Sequence, residues 1–255
     1  MRKIFTAVFV IIFGVVLLIG ISDAISLTEY DNELRFGSAG NRYIKKNVNM
    51  EIGEGSIINP DPVSFGVTDD AETGSANMVT SVVVNYRSFD TLGEVTVLFL
   101  AAVGVSILIG SEGKKRKLGK SGFILQTAAR FIFPVMLITG VYIFTHGHLT
   151  PGGGFPGGSM IASSFLLLYM ADDKFALNLK RFKIAEGTAG TLYVLIGAAG
   201  LIIGGYFLLN FLPTGTVGNL FSAGIIPIVY VIIGLKVGSE ITGVISDMMK
   251  EEVSA

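Results

Sequence analysis

Two pairs of charged side chains stand at or inside apolar stretches of this 255-residue sequence. Asp90 and Glu94 are four residues apart, so on a helix they share one face. Arg87, three residues before Asp90, is placed to neutralise it. From Val95 to Gly110 the sequence carries no charge, and a carboxylate entering such a run is costly unless paired, protonated or hydrated. The pair suits a cation or proton site at the outer mouth of a path. It equally suits an interfacial salt-bridge cluster that sets helix depth. Lys236 and Glu240 repeat the spacing within Ile-Gly-Leu-Lys-Val-Gly-Ser-Glu-Ile. A lysine this far inside an apolar run faces protein or water. It either neutralises Glu240 as structural glue or switches an ion site by changing partners, because a buried lysine titrates readily.

The stretch Thr145-His-Gly-His-Leu-Thr-Pro-Gly-Gly-Gly-Phe-Pro-Gly-Gly158 separates two apolar runs. His146 and His148 are too few for a zinc site without outside ligands, but either can relay protons. Gly147, Pro151, Gly152, Gly153, Gly154, Gly157 and Gly158 allow tight folding and close approach. The stretch lacks the Lys-Ser/Thr ending of a phosphate loop, so a capped turn lining a cavity at membrane depth is expected. Glu186 follows a basic stretch and is expected at a helix N-terminus, where the dipole favours it; it is a third candidate for a proton relay. With no cysteine, disulfides, iron–sulfur ligation and thiolate zinc are excluded within the chain. No metal site and no cofactor is expected. No nucleophile–base pair is evident, which makes a soluble-substrate enzyme the weakest class.

These residues need apolar elements to hold them. Hydrophobic residues make up 51 % of the chain and charged residues 15 %, with mean hydropathy +0.65. Soluble domains carry about 25 % charge, so the expectation is an all-α integral protein of the cell membrane, crossing the lipid bilayer several times. A net charge of -1 gives no case for nucleic acid. Runs of about 20 apolar residues span a bilayer. They are expected at Ile4–Ile21, at Thr91–Gly110, at a run ending at Thr145 that starts between Phe123 and Phe131, at Phe155–Ala171, at about Thr188–Leu209 and at about Ser222–Ser246. Gly190, Gly197 and Gly204, with Gly200, should pack one face of the fifth span on another helix. Pro134 and Pro227 are expected to kink their helices.

The lysines and arginines of Ser111–Gly122 and Asp172–Lys183 place both connections in the cytoplasm. Arg2 and Lys3 agree, so six spans put both termini inside. Ser22-Asp23-Ala24 is a poor cleavage site, which favours a retained first helix over a signal peptide. The connection from Ser22 to about Asn77 is then extracytoplasmic, a loop packed on a neighbour with turns at Asn59-Pro60-Asp61-Pro62. Residues 113–122 form a basic linker between a two-helix part (1–112) and a four-helix part (123–255).

Two segments resemble known modules. Asn77–Glu94, ending Val-Asn-Tyr-Arg-Ser-Phe-Asp-Thr-Leu-Gly-Glu, resembles the C-terminal region of the A subunit of Mrp-type cation/proton antiporters and the E subunit of archaeal membrane-bound hydrogenases. His146–Gly158 resembles the B subunit of the same antiporters and the F subunit of the hydrogenases. The fusion of the two modules points toward archaeal respiratory complexes, including sulfane sulfur reductases. The resemblance implies a membrane subunit of a multisubunit sodium/proton-translocating complex. Its partners would be Mrp-like and proton-pumping antiporter-like subunits, with a peripheral redox arm in respiratory forms. Sodium and protons would be the transported species. The family's acidic pair falls on Asp90 and Glu94. A purely structural subunit and a self-sufficient carrier are the competing readings.

Overall fold

The computed structural model describes residues 11–12, 14–16, 18–19, 43, 63–109, 114–115, 121–172, 175 and 177–251. The chain forms two compact units, Met1–Asn41 and Arg42–Ala255. In the first, residues 11, 12, 14–16, 18 and 19 are helical. The remainder of the expected first span, the Asn59–Pro62 turn and most of the basic linker lie outside the described residues.

Among its described residues, the second unit holds five helices long and apolar enough to cross a membrane. They are α1 (Ser88–Ile109), α2 (Phe123–Thr145), α3 (Gly154–Ala171), α4 (Leu179–Gly204) and α5 (Ile226–Met248). Arg130 falls inside α2, which starts at the earlier of the two expected positions. α5 is the hub and packs against all four others. Its most apolar window is 61 % buried, against 6 % for that of α1, so most of the α1 surface is left for lipid or other chains. Val84, Val95, Tyr193, Ile226, Val229, Tyr230, Ile233 and Val237 form the core between α1, α4 and α5.

At one end of the bundle, β1 (Lys114–Lys115) pairs antiparallel with β2 (Lys250–Glu251), which brings the ends of α1 and α5 together. At the same end Arg130 of α2 bonds Asp172 beyond α3 at 2.6 Å. Apart from this two-residue ladder and an isolated bridge between Asp69 and Thr216, regular structure among the described residues is helical. At the opposite end residues 63–77 lie on the segment that precedes α5. Gly66 N donates to Val217 O at 2.7 Å, and Thr214 Oγ1 to Ala71 O at 2.7 Å.

Two expectations change, for Pro227 and for the α4 glycines, while Pro134 stays inside its helix as expected. Pro227 sits in the first turn of α5, where its missing N–H costs nothing, so it kinks no helix. Pro134 is inside α2 and leaves the Arg130 carbonyl without its usual partner. Of the α4 glycines, Gly190 faces α5 through Lys236, but Gly197, Gly200 and Gly204 do not receive another helix. Gly205, at φ 78°, reverses the chain, and Tyr206–Leu209 folds back along α4. A Cβ at Gly200 would meet Leu209 N at 2.7 Å, Gly197 faces the Phe207 ring, and Leu208 N donates to Gly197 O at 3.1 Å.

Candidate functional site

The glycine-rich turn is built by close approach. A Cβ on Gly154 would lie 2.5 Å from Ile233, and one on Gly158 would lie 2.8 Å from Gly234 O, so α3 seats directly on α5. Gly157 and Gly140 let α2 and α3 touch in the same way. Gly153 has φ 139° and lies against the Tyr230 ring, a backbone conformation that only glycine adopts without strain. Gly147 and Gly152 fill gaps beside Tyr230 and Ile143, and Pro151 lies in the loop before α3.

Asn77 ties this turn to the start of α1. Its Oδ1 caps the short helix Met78–Thr80 through Val79 N and Thr80 N. Its Nδ2 donates to Gly147 O and Thr150 O, both at 2.9 Å. Thr80 Oγ1 reaches Gly147 O and Tyr230 OH, each at 2.7 Å, and Ser75 Oγ donates to His148 O at 2.8 Å. Residues seventy positions apart are thereby stapled, and a π-helical segment, Ser81–Tyr86, carries the chain into α1. Sequence reasoning missed the roles of Asn77, Thr80 and Tyr230. The only local signal was an Asn before an apolar run, the usual N-cap residue.

The two histidines have different surroundings. His146 is partly exposed and stacks on Tyr142 with centroids 4.2 Å apart. His148 is fully buried, and neither ring nitrogen reaches a well-formed hydrogen bond. Burial lowers its pKa, an effect that the adjoining backbone of Asn219 and Leu220 partly offsets.

Asp90 and Glu94 lie in the first two turns of α1, on exposed positions. Arg87 binds Asp90 at 2.5 Å, with both side chains about half exposed. Tyr193 of α4 donates to Ser88 O at 3.2 Å and lies within electrostatic reach of Glu94.

The buried charge sits lower, on α5. Lys236 Nζ donates to Glu240 Oε2 at 3.1 Å; side-chain exposure is 8 % for the lysine and zero for the glutamate. The ammonium also lies 5.0 Å from the centroid of the Phe99 ring of α1, and its methylenes pass over Gly190 of α4. A ring-plus-carboxylate seat of this kind is how a membrane interior tolerates a lysine. Below it, a cavity of about 420 Å³ opens between α1, α4 and α5. Glu186, Glu240, Asp247 and Lys183 line it, with Ser106 and Ser239. Glu186 is not at a helix N-terminus. α4 begins at Leu179, capped by Asn178, so Glu186 lies two turns inside and close enough to Glu240 to interact with it. The dipole explanation therefore fails, because that effect ends within the first turn. Ser106 Oγ donates to Asp247 Oδ2 at 2.5 Å.

The structure thus brings Lys236, Glu240 and Glu186 together. Asp90 and Glu94 lie nearer the start of α1, about 14 Å and about 8 Å along the helix axis from Phe99 at 1.5 Å per residue. His146 and His148 belong to the opposite end of the bundle from Glu186. Among the described residues, no three acidic or histidine groups are close enough to hold a metal ion directly.

Residues 124–243 match the family described as a domain related to the MnhB subunit of Na+/H+ antiporters, and residues 63–111 match the E subunit of MBH. A chain in the structure of the membrane-bound sulfane sulfur reductase, an archaeal respiratory membrane complex, is 40 % identical, with TM-score 0.74. The match covers 95 % of this chain and 98 % of that one. The B subunit of the Na+/H+ antiporter of Bacillus subtilis is 39 % identical over 88 residues, 33 % of this chain and 62 % of that protein. A chain of the Mrp complex from Dietzia sp. DQ12-45-1b shares the fold at TM-score 0.63 and 20 % identity. That match covers 96 % of this chain and 26 % of the other, so this chain spans about a quarter of it. Fold and likeness together define a multi-pass membrane subunit of the kind found in multisubunit complexes. The chain belongs to the Mrp-type antiporter module family, with a segment like the MBH E subunit preceding an MnhB-type one.

Proposed function

We propose that this chain is an ion-translocation subunit of a sodium/proton-translocating complex of the archaeal respiratory kind. Six spans place the ladder end of the bundle, with Lys180, Arg181 and Lys183, in the cytoplasm. Both termini are then inside, and the glycine-rich turn faces out. Asp90 and Glu94 line an outward mouth, where sodium and protons compete for the same carboxylates. His146 and His148 lie at that outer end. The chain performs no redox step and carries no cofactor. Its partners are antiporter-like, proton-pumping membrane subunits, and a peripheral redox arm drives the complex.

The observation that carries this reading is the Lys236–Glu240 pair, buried in the hub helix beside a carboxylate-lined cavity. Intramembrane charge of this kind is costly, and such residues mark ion pathways and proton relays. For Asp90 a structural role has its own support, since Arg87 already occupies one carboxylate oxygen. The test is Glu94→Gln in the assembled complex, with sodium-dependent proton movement followed in vesicles. Loss of transport with assembly intact supports translocation. Unchanged transport, or lost assembly, supports a scaffold.

A further inference from the structure

Glu240 has two different oxygens. Oε2 takes the proton-bearing Nζ of Lys236, whereas Oε1 is buried with no hydrogen-bond partner. The residue is 1 % exposed, yet it lines the cavity between α1, α4 and α5. A buried carboxylate oxygen with nothing to accept from is expensive, and the polar wall beside it is set up to receive a hydrated guest. Glu186 faces it from α4, and Ser106 and Asp247 lie further along the same wall from α1 and α5. Phe99, Val103 and Val244 supply the apolar side. The occupant must be cationic, because carboxylates face it from two helices. A hydrated guest fits best, because no three acidic or histidine side chains converge on one point among the described residues. Oxygen donors of this type suit hard ions.

We propose that this cavity is a second cation site, in the half of the bundle away from Asp90 and Glu94. It takes a hydrated monovalent cation against Glu240 Oε1 and, through water, Glu186. The cavity reaches Leu179, the first residue of α4, and therefore opens toward the ladder end of the bundle. Lys236 and the guest share one carboxylate, so occupancy weakens the grip of Glu240 on Lys236. The ammonium then keeps its contact with Phe99. Lys183 is the cationic side chain on the cavity wall and is placed to control access. This proposal rests on the translocation reading and deepens it at the Lys236–Glu240 pair; Glu94→Gln tests that reading at the outward mouth, so the two can fail separately.

The test uses the purified native complex and a hydrophobic carbodiimide, which labels membrane-embedded carboxyl groups; labelled peptides are quantified by mass spectrometry. The expected result is labelling of Glu240 or Glu186 that sodium chloride slows and choline chloride at equal ionic strength does not. At a sodium concentration about ten times the dissociation constant, labelling should slow by roughly tenfold. Glu186→Gln should weaken that protection at Glu240 while leaving sodium protection at Glu94 unchanged. Protection by potassium equal to that by sodium would still support a monovalent cation site, without selectivity. Absence of labelling at both residues, or equal slowing by choline, would overturn the proposal. Protection confined to Glu94 would overturn it while leaving the outward mouth intact.

Discussion

Replacing Lys236 by methionine should expose the energetics of the buried pair. The substitution keeps the unbranched stem that passes over Gly190 but removes the charge. Glu240, 1 % exposed, is then left without its partner. Removing one member of a buried pair costs about 3–5 kcal/mol, mostly the penalty of the stranded charge. The lost contact with the Phe99 ring adds about 1 kcal/mol. For a chain of this size that lowers the unfolding midpoint by about 10 °C. Glu240→Gln should cost a similar amount, because it strands the ammonium instead. Lys236→Met combined with Glu240→Gln removes both charges and should return to within about 1 kcal/mol of the native protein. The assay heats the solubilised complex and follows retention of this chain by gel filtration. Two singles that together cost far more than the double give a coupling energy of several kcal/mol. Singles as stable as the native protein, or costs that simply add in the double, would refute the reasoning.

Gly158→Ala drives a methyl group into Gly234 O and Gly238 N and should separate α3 from α5 at a cost of about 1–3 kcal/mol, measured by the same heating assay. Asn77→Ala removes a cap and two hydrogen bonds to the glycine-rich turn, about 2–3 kcal/mol in all; limited proteolysis should then cut near residue 77, and unchanged protection would contradict this. His148 has its pKa lowered from an ordinary 6.5, so the unfolded chain binds more protons there than the folded one. Its contribution is intact above about pH 6.5 and is lost as pH falls toward the depressed folded value. Midpoints measured across that window should slope less steeply in His148→Gln than in the native protein.

The spans around Thr145, Ala171 and Ser246 were legible because uncharged runs of bilayer length have few other interpretations. The fifth span was misplaced by nine residues at its start. Lys180, Arg181 and Lys183 look like loop, yet the helix runs through them from Asn178, and this hid the position of Glu186. Long basic side chains extend into water or headgroups while their helix continues below. The spacing of Lys236 and Glu240 was readable, but Phe99, Gly190 and Glu186 reach them from other helices, and no local pattern encodes that. The α4 glycines carried a packing signal without naming the partner, and the chain itself, at Tyr206–Leu209, turned out to fill the groove. The hydrogen bonds from Asn77 and Thr80 to Gly147 span about seventy positions and lie beyond any window in the sequence.

The most direct test of the central claim is sodium flux through the purified complex in sealed liposomes, with all its subunits identified by mass spectrometry. The account predicts that antiporter-like membrane subunits copurify with this chain. It also predicts that sodium moves in the native complex, and that the stable variant Lys236→Met with Glu240→Gln assembles fully but moves sodium at least about tenfold more slowly, a barrier increase of about 1.4 kcal/mol. Native flux in that assembled variant, or purification of the chain without such partners, would contradict it.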